Sequence, residues 1–193
     1  MKLILVRHGQ SKWNLENRFT GSQDVDLTET GKEEAKMVAL QIRDDNIDII
    51  FTSTLIRAQH TLQIIQEVCG WLEVPVVKNK ALNERCYGDL EGMDKAEAAI
   101  HFGTEQVHIW RRSYDIAPHG GESLKDTYSR VVPYFQQYIL PLLVKGKNIL
   151  IVAHGNSIRA LIMYLEKLSP EQIILREIGT CVPLQYVFNK GAA

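Results

Sequence analysis

The chain is poor in cysteine. Its three residues, Cys69, Cys86 and Cys181, are odd in number, far apart and form no C-x-x-C pair, which excludes a disulfide framework and a zinc knuckle and fits a reducing cytoplasm. Long apolar runs are missing as well. No stretch reaches 18 apolar residues, and the run that follows Met1-Lys2 is too short for a signal sequence, so no membrane association is expected. Neither charge is in excess, with 22 Lys and Arg against 23 Asp and Glu. Such a balance supplies no field for nucleic acid or acidic lipid, so any cationic character must be local. No group of His, Cys or Asp has the spacing of metal ligands, and no metal is expected. What remains is an ordinary globular composition, 45% hydrophobic and 23% charged over 193 residues. That length can bury roughly 70% of the unfolded chain's surface without staples.

One phrase is written twice. Leu3-Ile4-Leu5-Val6-Arg7-His8-Gly9 and Ile149-Leu150-Ile151-Val152-Ala153-His154-Gly155 are both apolar runs that end in His-Gly. Short β-branched runs stopping at a Gly turn read as buried strands, and open α/β sheets hold ligands beyond the carboxyl ends of such strands. The two imidazoles are therefore expected in one crevice. Around them strand and helix alternate. The spacing predicts a helix from Thr28 to about Asp45 with Thr30 and Glu33 as a capping box, a strand over Ile47 to Phe51, a helix capped by Thr54, and a strand over Val74 to Val77. From Leu82 to Gly121 the pattern loosens into Gly-, Asp- and Arg-rich turns with helical segments near Lys95 to Phe102 and Glu105 to Arg112, the mark of an inserted cap that serves a site. A helix from about Glu122 to Leu143, interrupted by Pro133 and Pro141, leads to the second His-Gly strand. A helix over Asn156 to Lys167 and a closing strand near Leu184 to Phe188 complete the pattern. The expected fold is α/β, three layers with a mostly parallel sheet flanked by helices, in one domain over 1–193 with the cap insertion at about 82–121.

Arg7 immediately precedes the first histidine, and Arg57 falls in the first turn of the helix after Thr52-Ser53-Thr54. Asn156 and Ser157 open the helix after the second. Guanidinium forks and helix N-termini both match phosphate oxygens. One unit charge pair at ~4 Å contributes ~4 kcal/mol at an effective dielectric of ~20, so several converging cations would dominate recognition. Two arginines, two histidines and two helix N-termini around one crevice describe a pocket for a dianionic phosphoryl group. Taken singly, either arginine reads as a surface ion-pair partner; their place at strand-to-helix junctions favours the pocket.

The run Leu5-Val6-Arg7-His8-Gly9-Gln10-Ser11, followed by Trp13-Asn14, Asn17-Arg18-Phe19-Thr20-Gly21 and Asp26-Leu27-Thr28-Glu29-Thr30-Gly31, resembles the histidine phosphatase superfamily and, within it, the cofactor-dependent phosphoglycerate mutases. The likeness continues through Thr52-Ser53, Arg57-Ala58, Leu82-Asn83-Glu84-Arg85-Cys86-Tyr87-Gly88, Lys95, Trp110-Arg111-Arg112 and Ala153-His154-Gly155-Asn156-Ser157. The resemblance implies that His8 is the nucleophile phosphorylated on a ring nitrogen, that Arg7, Arg57 and His154 hold the transferring oxygens, and that Glu84 donates and accepts the proton. Substrate contacts are implied for Gln10, Ser11, Asn14, Thr20, Gly21, Arg85, Gly155 and Asn156. Tyr87, Lys95, Arg111 and Arg112 are implied as the clamp on the substrate carboxylate and second phosphate. The implied reaction interconverts 3-phosphoglycerate and 2-phosphoglycerate in glycolysis and gluconeogenesis, primed by 2,3-bisphosphoglycerate. The implied partners are small phosphorylated three-carbon acids, with no metal, nucleic acid or membrane.

The chain departs from that pattern in three places. Cys86 stands where many members carry histidine, the stretch Tyr114 to Glu122 is short, and the chain stops at Ala193 soon after its last strand, where longer mutases carry a covering tail. A shortened lid is expected to admit water, giving a compact mutase with some phosphatase leakage. The alternatives are a phosphomonoesterase or bisphosphoglycerate phosphatase of the same superfamily, and a non-catalytic sensor of phosphorylated ligands. Oligomeric state stays open, with a homodimer the favoured expectation.

Overall fold

The computed structural model describes residues 1–188. In chain order the elements are β1 (Lys2–Arg7), α1 (Lys12–Leu15), α2 (Glu29–Ile42), β2 (Ile49–Thr52), α3 (Ile56–Cys69), β3 (Val76–Lys78), α4 (Lys95–Phe102), α5 (Thr104–Arg112), α6 (Leu124–Tyr134), α7 (Leu140–Val144), β4 (Ile149–Ala153), α8 (Gly155–Glu166), α9 (Pro170–Ile174) and β5 (Leu184–Val187). The strands form one sheet in the order β3-β2-β4-β1-β5. The first four in that order run parallel, and β5 joins β1 antiparallel at the edge.

The apolar strands are buried on both faces, so their alternating side chains feed two cores. Leu3 and Leu5 of β1 and Ile149 and Ile151 of β4 pack with Val131 of α6 and Ile158 and Leu161 of α8. Ile4, Val6, Leu150 and Val152 face the other way, against Ala35, Val38 and Ile42 of α2 and Leu62 and Ile65 of α3. Burying each large aliphatic side chain contributes roughly 1.5–3 kcal/mol. A one-residue slip would send every one to the wrong layer, which pins the register. That register places Arg7 opposite Ala153, so His8 and His154 leave neighbouring strands at the same level.

A third, small core of Phe19, Leu90, Ala98 and Val107, with Met93 and Trp110 against it, unites α4 and α5. The Phe19 N–H donates to Met93 O at 3.0 Å and the Gly92 N–H to Phe19 O at 2.8 Å, stitching the loop after α1 to the segment that begins at Leu82.

Several local expectations are corrected. The cap of α2 is Thr28, whose hydroxyl accepts from the Gly31 N–H at 3.0 Å, in place of a Thr30–Glu33 box. Thr54 does not cap α3, because its N–H and hydroxyl both bind Asn83 Oδ1. The helix start is satisfied from a distant loop instead, by Asp24 Oδ1 accepting from the Ile56 N–H at 2.6 Å. Pro133 does not interrupt its helix. It lies on the exposed face of α6, and the carbonyl that its missing N–H leaves unpaired belongs to Ser129, also exposed, so no core carbonyl is orphaned. The helix runs on through a π-helical turn, Phe135–Ile139, into α7, with Pro141 in the first turn of that segment. α1 and α9, each about one turn long and capped by Ser11 and Ser169, escape the periodicity argument. The three thiols are free, and among the described residues no helix is long and apolar enough to cross a membrane. The expectation about a covering tail concerns the chain after Phe188 and lies outside the described residues.

Candidate active site

His8 follows β1, and its backbone N–H still donates to Ala153 O of β4 at 3.0 Å. Its Nδ1–H donates to Gly9 O at 2.7 Å, which fixes the tautomer and leaves Nε2 with its lone pair. Gly9 is required at this junction, since a Cβ would collide with the Gly31 carbonyl in the first turn of α2. Burial holds the His8 ring well below its ordinary pKa, and the Arg57 and Arg7 charges lower it further against the Gly9 carbonyl. At neutral pH the ring is therefore uncharged.

His154 opens α8 at the end of β4, with its ring centroid 5.0 Å from that of His8 and the planes at 58°. Ser157 Oγ accepts from its backbone N–H at 3.0 Å, and its Nε2 lies 2.7 Å from Ser53 Oγ. Ser53 Oγ already accepts from the Leu55 N–H at 3.2 Å. Its own hydrogen has no other acceptor among the described residues, so the accounting assigns Ser53 O–H as donor to Nε2 and places the ring hydrogen on Nδ1. That Nδ1 is buried without a partner among the described residues. Burial, then Arg57, His8 and Arg7, hold this ring also well below its usual pKa.

The arginines are anchored by carbonyls. Arg57, near the start of α3 and 1% exposed, donates from its two Nη atoms to Gln23 O and Gly21 O, both at 2.7 Å. Burial brings it down to about 10, opposed by Glu84 and Asp24, so it is charged at neutral pH. Gly21 has φ +55°, and a Cβ there would strike the Glu91 carboxylate. Glu91 in turn accepts from Ser22 N–H, Gln23 Nε2 and Tyr87 N–H, so it shapes the loop that holds Arg57. Arg7 Nη1 donates to Ile178 O at 2.6 Å. The Nε atoms of both arginines and Thr20 Oγ1 are, like His154 Nδ1, buried and unpaired. Buried polar groups are nearly always bonded. This concentration of orphans at one histidine pair fits a group rich in acceptor oxygens, and a phosphoryl group is one.

A crevice of about 170 Å³ opens beside these groups. Of the expected site residues, Arg7, His8, Arg57 and Glu84 line it, as do Asn14, Thr20, Gly21, Tyr87, Lys95, Arg111, Arg112, Gly155 and Asn156. His154 stands behind His8, fully buried. Gln10, Ser11 and Arg85 are placed behind the wall. Gln10 Oε1 accepts from Thr28 Oγ1, Ser11 caps α1, and Arg85 stacks on the Tyr87 ring at 4.5 Å while donating to its hydroxyl at 2.7 Å. Glu84 Oε1 accepts from the N–H groups of Arg85 (2.8 Å) and Asn156 (3.0 Å). Its Oε2 lies close to Gly155, where a Cβ would come within 3.6 Å of it.

A family model described as the histidine phosphatase superfamily (branch 1) matches residues 3–191. The chain belongs to the histidine phosphatase superfamily. A 2,3-bisphosphoglycerate-dependent phosphoglycerate mutase from Nitrobacter hamburgensis is 57% identical over 192 residues, 98% of this chain and 93% of that protein. One from Xanthobacter autotrophicus is 56% identical over 186 residues, 95% and 90% of the respective chains. Among solved structures, Bacillus stearothermophilus YhfR has a TM-score of 0.87 at 27% identity, covering 99% of this chain and 92% of its own. Mycobacterial glucosyl-3-phosphoglycerate phosphatase in complex with VO3 has a TM-score of 0.85 at 28% identity, covering 95% and 90%.

In this member of the histidine phosphatase superfamily the rest of the crevice is crowded with cations. Lys95 from α4, Arg111 and Arg112 from α5 and Arg159 from α8 face it, together with Arg18. Burial lowers the Lys95 pKa, and Arg111 and Arg7 lower it further. Like charges gathered this closely are stable only with an anion among them. Sequence reasoning missed Arg159 and Glu177 as wall residues and Glu91 as a support. None had a local signal: Arg159 lies on α8 beyond the His-Gly motif, and Glu177 in the return segment before β5. The short Tyr114–Glu122 stretch folds against the turn at Gly88–Leu90, with Asp89 N–H donating to His119 O and His119 Nδ1 meeting Asp89 Oδ2 at 2.7 Å. It contributes nothing to the crevice wall. Cys86 lies outside the wall too, 3.4 Å from the Gly88 N–H, with burial pushing its thiol up.

Proposed function

We propose that the protein interconverts 3-phosphoglycerate and 2-phosphoglycerate through a phosphoryl group carried on His8. The observation that carries this reading is the cluster of Lys95, Arg111, Arg112 and Arg159 on the same crevice as His8 and Glu84. A simple phosphomonoesterase has no need of that second cationic seat, whereas a ligand with a carboxylate and a second phosphate does. The relatives at 56–57% identity bear the name of that activity.

The unpaired donors at His8 and the crowded cations of the cap fit 2,3-bisphosphoglycerate, one phosphate at each end. When bound, it supplies the phosphoryl group that primes His8. Nε2 of His8 attacks phosphorus in line with the departing oxygen, while Arg7 and Arg57 hold the equatorial oxygens. His154 donates from Nδ1 to the charge that grows on them. Glu84 Oε2 takes the proton of the attacking hydroxyl in one direction and returns it to the departing oxygen in the other. Lys95, Arg111 and Arg112 keep the three-carbon acid in place while either of its two oxygens is presented to His8, which is the step that separates transfer from hydrolysis. The reaction belongs in the cytoplasm, where its three free thiols would stay reduced.

A second reading, phosphatase, is favoured by one observation: the Tyr114–Glu122 stretch is tied to the Gly88–Leu90 turn and leaves the crevice wall. Phosphorus NMR of the protein with 3-phosphoglycerate, with and without a trace of 2,3-bisphosphoglycerate, decides between them. The mutase reading expects 2-phosphoglycerate that depends on the trace. Release of inorganic phosphate alone would sink it.

A further inference from the structure

Three consecutive residues ahead of β5, Arg176, Glu177 and Ile178, meet arginines of the crevice, and the last two line it. Arg176 O accepts from Arg159 Nε at 2.9 Å, and Ile178 O accepts from Arg7 Nη1 at 2.6 Å. Between them Glu177 places one carboxylate oxygen 2.6 Å from Arg112 Nη2 and the other 3.7 Å from Arg159 Nη2. Its side chain is 72% exposed, and its charged partners among the described residues are those two guanidinium groups. Among the described residues Glu177 is one of two carboxylates on a wall that carries seven cationic side chains. Its position is that of an anion seated on two cap cations.

We propose that Glu177 is a specificity-determining residue, an exchangeable carboxylate that occupies the Arg112–Arg159 pair and yields it to the anionic tail of the substrate. The proposal rests on the reading of this crevice as a site for phosphorylated acids and deepens it. A ligand with a phosphoryl group alone occupies the His8 end and leaves the Glu177 pair intact. A ligand with a second anionic group displaces Glu177 into water, a cheap move for an exposed side chain and one that exchanges one anion for another on the same cations. Glu177 thus keeps the cap cations paired in the free protein and sets a threshold of charge for the tail. Because its neighbours accept from Arg159 and Arg7, the exchange occurs on the same short segment that braces the phosphoryl end.

The test is calorimetric binding at low salt of inorganic phosphate, 3-phosphoglycerate and 2,3-bisphosphoglycerate to His8→Ala, which cannot accept a phosphoryl group, and to the double variant His8→Ala/Glu177→Gln. An exposed side chain of this kind is replaced without threat to the fold. With the internal competitor gone, affinity for the two acids should rise by about threefold to tenfold, more for the bisphosphate, and the gain should shrink at high salt. Affinity for inorganic phosphate should change by less than about twofold, since the two seats lie apart and are screened. In an Arg112→Gln background the effect of Glu177→Gln should largely disappear. Unchanged affinity for the acids, or an equal gain for inorganic phosphate, would overturn the exchange and leave a general field effect or nothing. Binding needs no turnover, so the two readings fail separately. A protein that shows the differential gain yet only hydrolyses its ligand keeps the exchange and loses the mutase; one that isomerises with no differential gain does the reverse.

Discussion

The two ends of the crevice are built on opposite plans. At the phosphoryl end His8, His154 and Arg57 are buried, and each is tied to a carbonyl or hydroxyl of a neighbouring strand end or loop. At the cap end Lys95, Arg111, Arg112 and Arg159 arrive from three helices, none is fully buried, and two of them share the exposed carboxylate of Glu177. Preorganised donors reorganise little as charge develops, which suits them to lowering the barrier of phosphoryl transfer. Loosely held cations choose which ligand stays and for how long. In the proposed function the first end carries out phosphoryl transfer, and the second decides whether the phosphoryl group returns to an acid or goes to water.

The largest effect should come from breaking the first end. His8→Ala removes the imidazole nitrogen proposed to attack phosphorus and should lower kcat by about 10⁴-fold or more, because the remaining groups cannot form the covalent intermediate. Steady-state assays with 3-phosphoglycerate and trace 2,3-bisphosphoglycerate measure it. Retention of even a tenth of the activity would remove His8 from its role.

A smaller effect sharpens the contrast through stability. Both buried rings have pKa values well below the unfolded value of about 6.5. Below that pH the unfolded chain binds protons that the native chain does not, so stability falls as pH drops from about 6.5, by up to ~1.4 kcal/mol per pH unit for each ring. Above about pH 7 the term is fully favourable and constant. Chemical denaturation at pH values from about 7 to 5 should show this slope, roughly halved in His154→Gln. Equal slopes in the two proteins would show that His154 is not buried neutral.

The same contrast governs what the sequence reveals. The phosphoryl end is legible because it is local: each histidine terminates its own apolar strand, each arginine sits beside a strand end, and parallel pairing of β1 with β4 does the rest. The layering follows from the same alternation, since Leu3 and Ile4 must face opposite cores. What escapes is whatever depends on distant chain. Asp24 finishes the start of α3 from another loop, so the Thr54 reading fails. Glu91 shapes the loop under Arg57 through bonds to Ser22, Gln23 and Tyr87. Arg159 and Glu177 become neighbours of Arg112 only once α8 and the segment before β5 have packed beside the cap. Pro133 misleads for a different reason, because a proline on an exposed helix face leaves its unpaired carbonyl to water instead of to the core.

In the proposed function the cap cations decide the fate of the phosphoryl group on His8. The direct measurement is a chase: label His8 with isotopic phosphate from 2,3-bisphosphoglycerate, add 3-phosphoglycerate, quench, and count label in phosphorylated acids against inorganic phosphate for the wild type and Arg111→Gln. Loss of one charge-assisted contact to the acid should lower that ratio about tenfold, with most wild-type label passing to the acid. An equal ratio in the two proteins would contradict the claim and return the choice between transfer and hydrolysis to the buried end.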